Sequence, residues 1–255
     1  MLTRSSLIEK LQPRTGLRLV HGFTDRLGGV SNGRYASLNL GRKWGDDPEA
    51  VRENYARVAR AAGYAPDVLR LVRQVHGSTV INGHQLGVAS EADGLWLSAE
   101  APSPLVVGVL TADCVPILLC DEQARFVAAV HSGWRGTVAN ITGEAVQILN
   151  KQGARGICAA IGPCIEQASF EVGPEVAEQF APSYVQMVEH THGLRPHVDL
   201  VAVVRDQLLR AGVAAERIDR VGGCTYRDPD TYFSYRRDGS GGQQLSLIGW
   251  VQASE

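Results

Sequence analysis

Three short stretches each set one metal-binding side chain at the mouth of an apolar run: Gln74-Val75-His76-Gly77, Thr111-Ala112-Asp113-Cys114-Val115-Pro116 and His131-Ser132-Gly133-Trp134-Arg135-Gly136. Two imidazoles and one thiolate make a zinc site with three protein ligands. The coordination position left for water or substrate is the mark of a catalytic rather than a structural zinc. His76, Cys114 and His131 lie 38 and 17 residues apart along the chain, a spacing that matches no compact zinc finger. Spacing alone therefore does not bring them together, and a single His or Cys beside an apolar run is more often a packed core residue.

To act together, these residues need strands that end at one rim, where the strand fixes the backbone and the adjoining loop gives access. Short apolar runs at residues 17–23, 68–76, 79–81, 105–110, 116–120, 126–130 and 157–161 read as strands. A helix is signalled by the cap oxygens of Asp46 and Asp47, by Pro48 in the first turn, and by an apolar face of Val51, Tyr55, Val58, Ala59 and Ala62 that Gly63 closes. A second helix follows from Val138, Ile141, Ala145, Ile148 and Leu149, with Gly153 as its stop. A short helix is expected at 174–180, and Asp199 caps another whose face is Leu200, Val203, Val204, Leu208 and Ala211. The tail returns to strands at 218–224, 231–236 and 244–251. Helices and strands interleave without strict alternation, and at least two apparent hairpins argue against an all-parallel sheet. The reading is a single α+β domain over residues 1–255, with mixed β-sheets in layers and flanking helices.

The bulk numbers narrow the partners. A chain of 255 residues with 44% hydrophobic composition can bury a large core. With 25 basic and 27 acidic residues it has no overall field to draw in nucleic acid or an anionic membrane, so any phosphate recognition must be local. Residues 1–20 lack the apolar segment of a secretory signal and no run has the length of a membrane span, which makes the cytoplasm the expected compartment. Five scattered cysteines suit reduced thiols better than a disulfide framework. No signal sets the oligomeric state.

The three opening stretches resemble the signature blocks of the YfiH family, also called the laccase-domain or polyphenol-oxidase-like family. The resemblance continues through His21-Gly22-Phe23, Gly28-Gly29-Val30-Ser31, Ser37-Leu38-Asn39-Leu40-Gly41, Ala160-Ile161-Gly162-Pro163-Cys164-Ile165, Phe170-Glu171-Val172-Gly173 and Phe233-Ser234-Tyr235-Arg236-Arg237-Asp238. It implies a YfiH-like fold in which His76, Cys114 and His131 bind a metal, usually taken as zinc. Where that family commonly has Ala, this chain has Ser132. The resemblance further implies a purine nucleoside phosphorylase that also splits methylthioadenosine and deaminates adenosine. Other members are linked to copper-dependent oxidation of phenols or to editing of peptidoglycan precursors.

The residue types help to choose among these activities. A type 1 copper site wants an axial Met beside two His and one Cys, and only Met1 and Met187 exist. A multicopper laccase also needs more imidazoles than the seven present, although Cu2+ can occupy a His/His/Cys site in place of Zn2+. Zinc suits deamination because it lowers the pKa of bound water to about 7. The usual His-x-Glu and Pro-Cys-x-x-Cys deaminase signature is absent; Asp113 is the nearest acid, with holding a ligand histidine or capping a turn as its alternative roles. Phosphorolysis demands a cradle for phosphate, for which Arg135 is the first choice, with Arg236, Arg237 and the neutral donor Asn39 as further candidates. Arg236 and Arg237, read as neighbours on one strand, point to opposite faces, so one at most faces the site. Trp134 or Tyr235 is placed to stack on a base. Two rival readings use the same residues: Cys114 as a thiolate nucleophile activated by His131 in a hydrolase or amidase for peptide-like substrates, acting in peptidoglycan precursor editing, and a structural zinc in a binder of cell-wall precursors. His190, His192 and His197 are set aside as a polar loop without an apolar shell.

Overall fold

A computed structural model describes residues 1–13, 16–87, 90–100, 104–191 and 193–253. In chain order the strands are β1 (Leu2–Thr3), β2 (Leu17–Thr24), β3 (Leu69–Arg70), β4 (Val80–Asn82), β5 (Gly94–Ser98), β6 (Val106–Thr111), β7 (Val115–Cys120), β8 (Phe126–Ser132), β9 (Cys158–Ile161), β10 (Val185–His190), β11 (Gly193–Val198), β12 (Ile218–Arg220) and β13 (Gln244–Gln252). The α-helices are α1 (Pro48–Ala62), α2 (Trp134–Val138), α3 (Ile141–Lys151), α4 (Pro174–Ala177), α5 (Leu200–Arg210) and α6 (Tyr235–Asp238).

Two mixed sheets stack face to face. One runs β1-β2-β13-β6-β3 and the other β12-β9-β7-β8-β5-β4. Between them Val107, Val109, Ile248 and Trp250 of the first meet Leu95, Leu118, Val127 and Ala129 of the second in one buried cluster. The outer face of the six-stranded sheet packs on α3 and α5 through Ile117, Val130, Leu149 and Val204. The outer face of the five-stranded sheet packs on α1 through Leu247, Val106, Val58 and Tyr55. The result is four layers, helix, sheet, sheet and helix. The α+β expectation with layered mixed sheets and flanking helices holds. Strands β7 and β8 are buried along their whole length, which explains their unbroken apolar composition. No helix among the described residues is long and apolar enough to cross a membrane.

The helix signals hold closely. Asp47 caps α1 by accepting from the Glu49 N–H, Gly63 closes it in the left-handed region at φ 74°, and Asp199 caps α5 by accepting from Ala202. Other expectations are corrected. The strand expected at 68–76 shrinks to Leu69–Arg70, because further along the side-chain amide of Gln74 takes the place of a strand backbone: it donates to the Leu110 carbonyl and accepts its N–H, both at 2.8 Å. The helix read through Val138 breaks at Asn140, whose φ of 59° separates α2 from α3. The short helix at 174–180 ends at Ala177, and the strand at 218–224 ends at Arg220.

Residues 231–236 do not form a strand. Ser234 accepts from the Arg237 N–H and starts α6 there. The stretch set aside as a polar loop is an antiparallel hairpin, β10 with β11, in which Pro196, His197 and Val198 are buried. Its polar, exposed first strand hid the period-2 signal. His192 lies outside the described residues.

Candidate metal centre

The sheet registers bring two of the predicted ligands side by side. In the β7/β8 ladder Pro116 pairs with His131 and Val115 with Ser132, so Cys114, one residue ahead of β7, sits next to the end of β8. His76 arrives from the loop after β3. Strand β5 pairs antiparallel with β8, Gly94 opposite Val130, which puts Asp93 against His131.

Asp93 is the knot of the site. Its carboxylate accepts the backbone N–H groups of His76 at 2.9 Å and Gly77 at 2.6 Å, and lies 2.8 Å from Nδ1 of His131. With the carboxylate as acceptor, Nδ1 of His131 carries the proton and Nε2 is free to bind a metal. One buried acid therefore shapes the His76 turn and orients the His131 ring. Burial pushes Asp93 up, but the hydrogen bonds from His131 and the backbone outweigh it and hold its carboxyl below the usual range.

His76 and Asp113, at φ 59° and 94°, are two of the four described non-glycine residues with positive φ. Such conformations cost about 1–3 kcal/mol and persist where the surroundings over-determine them, typically at functional sites.

The ligand atoms of His76, Cys114 and His131 all lie within 4.8 Å of one another. The His76 and His131 rings meet edge to face with centroids 4.8 Å apart. Gly133 leaves room for this convergence: a Cβ there would stand 2.9 Å from His76 Nδ1 and 3.1 Å from Cys114 Sγ. Burial pushes the Cys114 thiol up, but His131 and His76 outweigh it and bring it down to about 6. Burial likewise pushes His131 down, while the Cys114 thiolate and Asp93 bring it up to about 9. A thiolate between two imidazoles, with a carboxylate holding one ring from behind, is a donor set that fits Zn2+ and also accommodates Cu2+.

The three residues lie in a cavity with Trp44, Phe170, Tyr235 and Arg236 on its walls. A second recess, lined by Trp134, Glu171 and Arg195, shares Phe170 and Arg236 with it. The other sequence candidates divide sharply. Arg236 lines both recesses, its guanidinium donating to the Glu171 carbonyl at 2.7 Å. Arg237 turns away and donates to the carbonyls of Thr225, Tyr226 and Tyr232. One member of the pair lines the cavity, but the angular step between neighbours on a helix separates them rather than strand alternation. Arg135 is exposed, stacks 4.3 Å over its neighbour Trp134, and is absent from the cavity wall.

Asn39 is also displaced from the expected role. It is buried, its Nδ2 donates to Gly41 and Asp46, and its Oδ1 accepts from Gly41 and Gln243, which leaves it no free donor for phosphate. Asp113 does not hold a ligand histidine. Its two oxygens accept from the Thr225 hydroxyl at 2.6 Å and the Arg236 N–H at 2.7 Å, which places the start of α6. Tyr235 lines the metal cavity beside Trp44, ring centroids 5.7 Å apart, whereas Trp134 belongs to the second recess. Sequence reading missed Asp93 and Trp44, and gave no role to Gln74 and Phe170 although both stand in the signature stretches. Asp93-Gly94 at the head of an apolar strand was the one local signal available for the first of them.

Comparison with known proteins shows the family. Residues 20–251 match the family described as multi-copper polyphenol oxidoreductase laccase. A "Purine nucleoside phosphorylase" of Deinococcus radiodurans is 41% identical over 241 residues, covering 91% of this chain and 90% of the relative. "Purine nucleoside phosphorylase YfiH" of Escherichia coli K12 is 38% identical, covering 89% of this chain and 91% of the relative. Among solved structures, YlmD from Geobacillus stearothermophilus superposes with a TM-score of 0.80 at 31% identity, covering 91% of both chains. The Neisseria meningitidis protein NMB0706 gives 0.79 at 33% identity, covering 94% of this chain and 96% of the other. From its matched length and its three convergent signature blocks, the chain belongs to the YfiH family of laccase-domain proteins.

Proposed function

We propose that this chain is a metal-dependent purine nucleoside phosphorylase whose reaction takes place in the cavity around His76, Cys114 and His131, with Zn2+ as the ion. The carrying observation is the convergence of those three residues in a cavity that an exposed arginine, Arg236, also lines. The names of the relatives support the same reading. Bound zinc supplies a Lewis acid with an open coordination position. Arg236 offers a planar fork of donors for phosphate, and its backbone is fixed by Asp113. Trp44, Tyr235 and Phe170 give flat apolar walls on which a purine can stack.

Methylthioadenosine phosphorolysis makes the same demands and belongs to this proposal. Adenosine deamination is the weaker part. It needs an acid at the base, and Asp113, the only carboxylate among the described residues of the cavity wall, has both oxygens engaged. One observation favours a second reading as a Cys/His hydrolase, namely the thiolate-favouring Cys114 beside a raised His131. Stoichiometric zinc with slow alkylation of Cys114 opposes it; a metal-free, active protein that iodoacetamide inactivates supports it.

The direct test follows purine release from inosine, adenosine and methylthioadenosine with and without phosphate. The wild type is expected to require phosphate and to form the sugar 1-phosphate, and His76→Ala, Cys114→Ala and His131→Ala are expected to lose at least about 100-fold in kcat/KM, roughly 2.7 kcal/mol. Unchanged turnover in all three variants removes this site from the mechanism.

A further inference from the structure

A second group of metal-binding side chains lies on the hairpin and is not used by the proposed reaction. Glu171, His190 and His197 place their ligand atoms within 4.8 Å of one another. Backbone pairing sets them there. The segment carrying Glu171 runs along β11, with the Val172 N–H donating to Pro196 and the Val198 N–H to Phe170. His190 ends β10 and His197 sits near the end of β11.

The arrangement has the features of a built site. His197 is 3% exposed, and its Nδ1 lies 2.9 Å from the Gln167 carbonyl. A carbonyl only accepts, so Nδ1 carries the proton and Nε2 presents its lone pair. This is the outer-sphere hydrogen bond that fixes the tautomer of metal-binding histidines. That Nε2 faces Nε2 of His190 at 3.1 Å. Here that distance is filled by a hydrogen bond from His190 Nε2–H to His197 Nε2, and it also falls in the about 2.9–3.4 Å range of two imidazole nitrogens each about 2.0–2.1 Å from one ion, so an ion can replace the shared proton with little movement. The third donor, Glu171 Oε2, lies 3.8 Å from His190 Nε2. Arg195 approaches the other Glu171 oxygen at 3.9 Å and leaves Oε2 open. The side chains of His190 and Glu171 are 39% and 43% exposed, which gives an ion an entry path.

We propose that Glu171, His190 and His197 bind a divalent first-row transition-metal ion, with Zn2+ the preferred class, at a second site that shares no ligand with the first. Two imidazoles and a carboxylate select such ions over Mg2+ and Ca2+, which prefer all-oxygen sites. The ion would fasten the hairpin to the segment whose Phe170 ring and Glu171 carbonyl shape the wall at Arg236.

Cobalt titration of the chelator-stripped full chain tests this, because a thiolate ligand gives a sulfur-to-cobalt charge-transfer absorption that a His/His/Glu site lacks. The wild type is expected to bind two equivalents of Co2+. Cys114→Ala should keep one, without the charge-transfer band; His190→Ala should keep one, with it; Glu171→Gln should weaken the second equivalent alone. His190 and Glu171 are half-exposed, and the melting temperature of the stripped proteins checks that these variants fold. A single equivalent in the wild type, or two equivalents that neither His190→Ala nor Glu171→Gln alters, overturns the proposal.

Discussion

Asp93 and His131 are joined twice: the His131 backbone N–H donates to the Asp93 carbonyl at 2.7 Å, and the His131 ring nitrogen Nδ1 lies 2.8 Å from the Asp93 carboxylate. The same carboxylate collects the N–H groups of His76 and Gly77. Two candidate ligands from distant parts of the chain are thus held by one residue that is not itself among them. Asp93→Asn is expected to lower zinc affinity by about 10–100-fold, the usual effect of losing an outer-sphere partner. Competition with a chromophoric chelator measures it. Asp93→Ala should in addition destabilise the fold by about 1–3 kcal/mol, because buried N–H groups are left without an acceptor. Wild-type affinity in Asp93→Asn would refute the orienting role.

Gly133 has an ordinary backbone, φ −73°, that alanine adopts without strain. The cost of Gly133→Ala therefore falls on the ligands, since the new methyl stands 2.9 Å from His76 Nδ1 and 3.1 Å from Cys114 Sγ. The variant should fold with a melting temperature close to the wild type in chelator and fail to retain stoichiometric zinc. Full metal content by elemental analysis is the result that contradicts this.

Arg236 and Arg135 separate by kinetics. Removing a charge-assisted contact of about 1.5–3 kcal/mol from the cavity should raise KM for phosphate by roughly 10- to 100-fold in Arg236→Ala, with a smaller change in the nucleoside KM. Arg135→Ala should stay within about 2-fold of the wild type, because that side chain leans over Trp134 at the surface. The reverse ranking would place the phosphate elsewhere.

His21 sets an acid limit on stability. It is 3% exposed, and its Nε2 lies 3.0 Å from the Ser5 backbone nitrogen and 3.3 Å from the Ser5 carbonyl oxygen. Burial is the main cause that lowers its pKa from the ordinary 6.5, against smaller upward pulls from Glu9 and the Ser5 backbone. The unfolded chain binds a proton at this ring from about pH 6.5 downward while the folded protein does not. Its stabilising contribution is therefore complete above pH 6.5 and is lost as pH falls towards the depressed folded value. Urea unfolding of wild type and His21→Gln from pH 7.5 to 5 checks this: the wild-type curve should fall more steeply below pH 6.5. Parallel curves would count against His21 as the titrating group.

Much of the fold was legible because its signals are local. Asp47 with Pro48 starts α1, Gly63 ends it, Asp199 caps α5, and the buried strands β7 and β8 announce themselves as unbroken apolar runs. The failures came where a side chain or a distant segment took over a backbone's role. Gln74 replaced a strand by its amide, Ser234 turned an expected strand into the start of a helix, and the hairpin β10–β11 carried too many polar residues to show its alternation.

By itself the sequence determined the donor chemistry on offer to a metal, two imidazoles and a thiol beside apolar runs, because residue type fixes donor type. Only the tertiary structure decided which residues surround them. The pairing of Pro116 with His131 and of Gly94 with Val130 is a matter of sheet register between segments far apart in the chain, and that register chose Asp93 over Asp113 as the acid behind the ligand. The bond from the Arg236 N–H to Asp113 set Arg236 on the wall, and Arg135 and Asn39 stand off it. Contacts of that kind depend on how whole layers stack, and no window of local sequence encodes them.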